Sequence, residues 1–132
     1  MMKMIDRLVN YGLLVSTLAQ GKMTWQLGKR KAAVIELNQS ASIGVVINVP
    51  IETESDWLRH MSLVLAACEE ARDCGLEYQN NEWILWRYYD ESQDEDALYQ
   101  ALLFQQALAN FLEKDRGQIL EQHSASIVGR VV

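Results

Sequence analysis

Residues 22–49, KMTWQLGKRKAAVIELNQSASIGVVINV, decide the fold class. Met23, Trp25 and Leu27 alternate with Thr24 and Gln26, and Ala33, Ile35 and Leu37 alternate with Val34 and Glu36. Ile43, Val45, Ile47 and Val49 then alternate with Gly44, Val46 and Asn48. A period of two sends successive side chains to opposite faces of a strand, and the β-branched content suits a pleated surface. Gly28-Lys29-Arg30 and Asn38-Gln39-Ser40 have turn chemistry, so the stretch predicts three short antiparallel strands, the last ended by Pro50.

On either side the apolar period lengthens. In residues 2–19, Met4, Ile5, Leu8, Val9, Tyr11, Leu14, Val15 and Leu18 fall at helical spacing, with Gln20-Gly21 as a stop. Residues 54–74 predict a second helix, started by Thr53 with Asp56 or by Ser55, and ended at Gly75. Its stripe is Trp57, Met61, Val64, Leu65, Cys68 and Ala71. Residues 76–89 predict a hairpin about Asn80-Asn81, a pair that tolerates positive φ. Its second strand is apolar on both faces: Trp83, Leu85 and Tyr89 on one, interrupted by Arg87, and Ile84, Trp86 and Tyr88 on the other. A small sheet covered on one side needs only one apolar face, so the second is expected to meet a helix, a subunit or a ligand. Residues 93–115 predict a final amphipathic helix, with Ser92 and Glu95 as a capping box and Asp115-Arg116-Gly117 as its end. The expected order is α-β-β-β-α-β-β-α, an α+β fold with a twisted antiparallel sheet packed by helices. Residues 1–117 form one domain and 118–132 a tail of mixed character.

Composition narrows the function classes. The 132 residues suit a single domain, and 49% hydrophobic with 23% charged residues is ordinary for a globular chain. The net charge of −6 opposes sequence-independent nucleic-acid binding, which requires a basic face, and opposes docking on an anionic membrane. Lys29-Arg30-Lys31 reads as a solvated hairpin turn. Asp6-Arg7 interrupts any secretory h-region, and no apolar run reaches the ~20 residues of a spanning helix. Two cysteines six apart form neither a disulfide framework nor a metal motif, so a reduced, cytoplasmic protein is expected.

No residue set points to catalysis. His60 and Cys68 are two helical turns apart, too far for a nucleophile–base pair; Cys68 falls on the apolar stripe and His60 beside Arg59 on the polar side. His123 is remote in sequence from His60, a weak metal signal. Asp90, Glu91, Asp94, Glu95 and Asp96 lack the central glycine of a calcium loop and read as helix capping and solvated charge. The glycines are scattered, with no phosphate-binding loop. Trp25, Trp57, Trp83 and Trp86, with five tyrosines, are many large rings for a small domain, and such rings favour interface cores. No enzyme, cofactor or metal is expected.

This element order, in a short acidic chain, resembles the class I chaperones of bacterial type III secretion, including the Tir-chaperone-like group. The resemblance rests on the first helix leading into the 22–49 meander, on WLRHMSLVLAACEEARDCGLEYQNNEWILWRYY (57–89), and on SQDEDALYQALLFQQALANFLE (92–113). It spans about residues 1–115 and is one of architecture, without a diagnostic motif. It implies a dimer in the cytoplasm of a Gram-negative bacterium, working without ATP hydrolysis. Such a protein keeps the N-terminal segment of a secreted effector, translocator or gatekeeper protein soluble and ready for export. It further implies a dimer interface, homodimeric or heterodimeric, at Trp57, Met61, Val64, Leu65, Trp83, Leu85 and Trp86. The partner segment is implied to dock on Leu8, Leu14, Val15, Trp25, Leu27, Val34 and Val46. A dimeric α+β adaptor or regulator of the same shape, unconnected with secretion, is the alternative.

Overall fold

The computed structural model describes residues 3–49 and 54–131, with side chains as far as Glu113. The fold is α+β, as expected, with three helices and a six-stranded antiparallel sheet. In chain order the elements are α1 (Met4–Val9), β1 (Leu14–Ala19), β2 (Lys22–Leu27), β3 (Arg30–Glu36), β4 (Ser40–Ile47), α2 (Glu54–Ala67), a 3₁₀ turn (Glu69–Ala71), β5 (Cys74–Gln79), β6 (Glu82–Asp90) and α3 (Glu95–Val131). The sheet order is β1-β2-β3-β4-β6-β5.

Four differences from the sequence reading have physical causes. The helix expected over 2–19 stops at Val9, and its second half is β1. Gln20 and Gly21 have φ of 52° and 76°, the paired positive values of a two-residue hairpin turn, so the apparent helix stop is instead the tip of β1–β2. The β-branched Val15 and Thr17 are at home in that strand. Second, α2 ends at Ala67, and residues 69–71 tighten into the 3₁₀ turn that delivers the chain to β5. Third, the cap of α3 is Asp94, whose carboxylate accepts from the Ala97 amide at 2.8 Å; Ser92 is drawn instead into a turn by the Asp90 carboxylate. Fourth, α3 continues past Asp115-Arg116-Gly117 to Val131. The roles read for Thr53 and Pro50 lie outside the described residues.

Every described helix packs on one side of the sheet. That side carries Ala41, Ile43, Val45 and Ile47 of β4 beside Tyr89, Arg87, Leu85 and Trp83 of β6. Leu98, Leu102, Leu108 and Leu112 of α3 are buried on it. Trp57 of α2 stacks on Trp83 with ring centroids 5.3 Å apart and donates its indole N–H to the Leu112 carbonyl at 2.9 Å. Met4, Ile5 and Leu8 of α1 complete the core.

A polar clasp fixes α3. Gln105 is fully buried, and its amide donates to the Ile43 carbonyl at 2.7 Å and the Leu85 carbonyl at 3.1 Å, one on each central strand. Its own carbonyl accepts from the Tyr89 hydroxyl at 2.6 Å. Burial pushes the Tyr89 phenol far above its ordinary range, so it stays a neutral donor. Outside the core, the Glu95 carboxylate accepts from the Tyr11 hydroxyl and from the Arg7 guanidinium, tying α1 to the start of α3. These partners hold Glu95 below its ordinary value of 4.5.

Two predictions follow from these contacts. Tyr89→Phe is expected to cost about 1 kcal/mol and Gln105→Ala about 2–4 kcal/mol by urea unfolding, with the double variant costing less than their sum because the two groups share one network. The Glu95 contribution is fully present above its ordinary value and is lost as pH falls through its lower folded value. Unfolding midpoints measured from neutral to acid pH should therefore fall less steeply for Glu95→Gln than for the parent chain.

Candidate interaction surface

The other side of the sheet carries no helix among the described residues. Alternation sends Ala33 and Ile35 of β3, Ser42, Gly44 and Val46 of β4, and Ile84, Trp86 and Tyr88 of β6 to that side. The apolar second face read from residues 83–89 is thus real, and this face is what it supplies. Ile84 is almost fully covered by its neighbours, Trp86 is half-buried, and Ile35 and Tyr88 are exposed at 52% and 45%.

Gly44 organises the centre of this face. A Cβ there would lie 2.6 Å from Ile84 Cγ2 and 2.9 Å from the Trp86 ring. Without a side chain at 44, both can fold across β4, and the Trp86 indole donates to the Glu77 carboxylate at 3.3 Å on the neighbouring strand. The result is a low apolar platform spanning β3, β4 and β6, bordered on β5 by Glu77.

The edges are also open. β1 and β5 are the outermost strands. β1 reads LVSTLA, without a charge or proline to discourage pairing, and its Val15 and Leu18 are exposed at 45% and 72%. From Val15 to Thr24 the side chains of the β1–β2 hairpin are exposed on both faces.

The residues assigned by resemblance are divided by the fold. Leu8, Leu14 and Leu27 are fully buried in the chain's own core, which removes them from any surface that a partner could meet. Val15 is exposed, while Trp25, Val34 and Val46 are partly buried. They lie on opposite sides: Trp25 and Val34 on the helix side, Val15 and Val46 on the open side. The residues assigned to the dimer interface divide similarly. Trp57, Met61, Trp83 and Leu85 are core. Val64 and Leu65 are partly buried on α2, beside Leu63 at 67% exposure. Trp86 is across the sheet from them. In β3 the reading of Ala33, Ile35 and Leu37 as the apolar face is inverted, since Ala32 and Val34 face the helices and Ile35 and Leu37 are exposed.

Arg87 is the residue whose environment the sequence concealed. It is 7% exposed on the helix side, donates to the Glu70 carbonyl at 3.1 Å and lies over the rings of Tyr89 and Phe104 at 5.7 and 5.9 Å. Two aromatic faces and a carbonyl replace the carboxylate that a buried guanidinium usually finds. Nearby, burial raises the Cys74 thiol above its ordinary range, against the lowering influence of Arg87. Among the described residues no group of three or more His, Cys, Asp and Glu is placed to hold a metal ion, and no helix is long and apolar enough to cross a membrane. Compared with known proteins, the chain matches no family model and no curated protein.

The division between core and surface can be tested. Leu14→Ala should cost about 2–5 kcal/mol in urea unfolding, whereas Val15→Ala, its neighbour on the open side, should stay within about 0.5 kcal/mol of the parent. Gly44→Ala should displace the Trp86 ring and alter the near-UV circular dichroism while the far-UV spectrum is kept.

Proposed function

We propose that this chain is a polypeptide-binding chaperone of the type III secretion kind. In this reading it takes the N-terminal segment of a secreted effector, translocator or gatekeeper protein and holds it extended, soluble and export-competent without hydrolysing ATP. The observation that carries the reading is the helix-free sheet face, where Ile35, Val46, Ile84, Trp86 and Tyr88 form an apolar platform. Apolar side chains gathered on one sheet face that no described helix covers mark that face as a surface for a partner. Each large side chain that a partner buried on it would contribute roughly 1.5–3 kcal/mol before ordering costs, so several together hold an unfolded segment without an energy source.

Self-association in this reading uses the outer side of α2. Leu63 is exposed and Val64 is partly so, at the opposite side of the molecule from Trp86. Two copies joined through α2 would keep both platforms outward, which suits a cytoplasmic chaperone that wraps one partner segment around a pair of subunits.

Co-expression with the neighbouring open reading frame is the direct test. A stable complex is expected, with two copies of this chain per partner and the partner's N-terminal segment protected from protease. Trp86→Glu should abolish capture while light scattering still reports the parent's oligomeric state, and Leu63→Asp should release monomers. A dimer that captures no secreted protein would instead leave the chain a dimeric adaptor of the same shape.

A further inference from the structure

The ladder between β2 and β3 is short. β1 and β2 pair over six residues and β4 and β6 over eight, but β2 and β3 pair only at Trp25↔Ala32, Gln26↔Lys31 and Leu27↔Arg30. Beyond Trp25 the strands part, and β3 residues 33–36 pair with β4 alone. The opening is a cleft of about 490 Å³ lined by Met23, Thr24, Trp25, Ala33 and Val34, with Lys31 at its rim. On its helix side it presents Met23, Trp25 and Val34; on its open side it presents Thr24 and Lys31, and strand alternation places Lys22 and Ile35 next along that same side. The Leu37 amide bonds the Ser40 carbonyl, so Ala33 and Ile35 also turn their backbone groups to β4, while Val34 and Glu36 turn theirs toward the cleft; this edge, roughly 13 Å long over four residues, suits another extended backbone.

The open side of the cleft carries Lys22 and Lys31 by register, while Glu36, the acidic residue on the edge itself, alternates to the helix side. The chain is acidic overall, yet no Asp or Glu lies between Asp6 and Glu36, a stretch that holds Arg7, Lys22, Lys29, Arg30 and Lys31. All but one of the eighteen acidic residues lie at Glu36 or beyond. Arg30 is engaged by Glu113 and by Asn110 at 2.8 Å, and Lys31 is 3.4 Å from Glu82, while Lys22 and Lys29 are exposed at the hairpin ends. Two copies meeting here would oppose like charges, whereas an acidic segment would be attracted.

We infer that the β2–β3 cleft receives an extended acidic segment of a partner polypeptide, which pairs with the backbone of Val34 and Glu36 on β3. Its alternate apolar side chains lie against Met23, Trp25 and Val34, and its carboxylates face Lys22 and Lys31. A nucleic acid would meet the lysines but would leave the β3 amides unpaired. The inference rests on the polypeptide-binding reading above and adds to it a second contact beside the Trp86 platform, with its strand pairing and the charge of the bound segment.

The test uses the full chain, fluorescein-labelled oligothymidylate and three fluorescein-labelled decapeptides: one alternating Asp and Val, one alternating Lys and Val, and the Asp–Val peptide N-methylated along one edge. Fluorescence anisotropy is read at low salt, where exposed charges are least screened. The Asp–Val peptide is expected to bind at least about tenfold tighter than either other peptide, a difference worth about 1.4 kcal/mol. Hydrogen exchange should slow at the amides of Val34 and Glu36, which face the cleft, more than at Ala33 and Ile35, which already bond β4. Lys22→Glu with Lys31→Glu should remove the preference for the acidic peptide, with the fold checked by circular dichroism. Equal binding of acidic and basic peptides, binding unaffected by N-methylation, tighter binding of oligothymidylate, or no binding of the Asp–Val peptide would each overturn the inference. Because the probes are defined peptides, such a failure leaves capture of a partner on the Trp86 platform as a separate question.

Discussion

The architecture depends on how α3 is seated. Gln105 lies where a leucine would be the simpler choice, and its amide reaches carbonyls on both central strands, 2.7 Å and 3.1 Å away, while Tyr89 closes the network. A buried amide is costly unless its donors and acceptor are satisfied, and here one helix position satisfies them only in one placement on the sheet. Apolar contacts alone would tolerate sliding of α3 along β4 and β6; the clasp selects a register. With α3 so placed, Leu112 meets Trp57 and Glu95 meets Arg7 and Tyr11, so α2 and α1 are drawn to the same side. The bare opposite face is a consequence of that one-sided packing.

A bare face has to remain soluble, and the details of this one serve that end. Gly44 allows Ile84 and Trp86 to fold flat over β4, so much of their surface is hidden by neighbours on their own sheet. The indole N–H is directed to Glu77, and Lys31 and Glu82 pair at the margin of the platform. What stays exposed is a modest apolar area bounded by charge, with the chain's net −6 opposing casual association between copies.

Much of this was legible in the sequence where a local signal had one meaning. The 22–49 meander, the Asn80-Asn81 turn with both residues at positive φ, and the two apolar faces of 83–89 follow from period and turn chemistry. The first strand was hidden because Leu14, Val15 and Leu18 satisfy helical spacing as well as they satisfy a strand, and Gln20-Gly21 serves equally as a helix stop or a hairpin turn. The sidedness of β3 was hidden because Ala32, Ala33, Val34 and Ile35 form a continuous apolar run without an alternation to fix its phase. The surface residues were the least legible. Spacing identifies apolar positions, but only tertiary packing separates Leu14, at the centre of the core, from Val15, its exposed neighbour.

The same argument explains why the sheet is unequal along its width. From β4 to β5, strands are backed by α2 and α3 and pair over most of their length. Toward β1, Val15 to Thr24 are exposed on both faces, and among the described residues nothing on the helix side compels β2 to stay against β3 beyond Trp25. Strand pairing between two narrow, exposed ribbons stabilises little without a packed face, so the ladder ends where the core ends. The opening between β2 and β3 therefore has the same origin as the open platform: one side of one half of the sheet holds the core, and the rest of the sheet is left with backbone and apolar surface that the described residues do not cover.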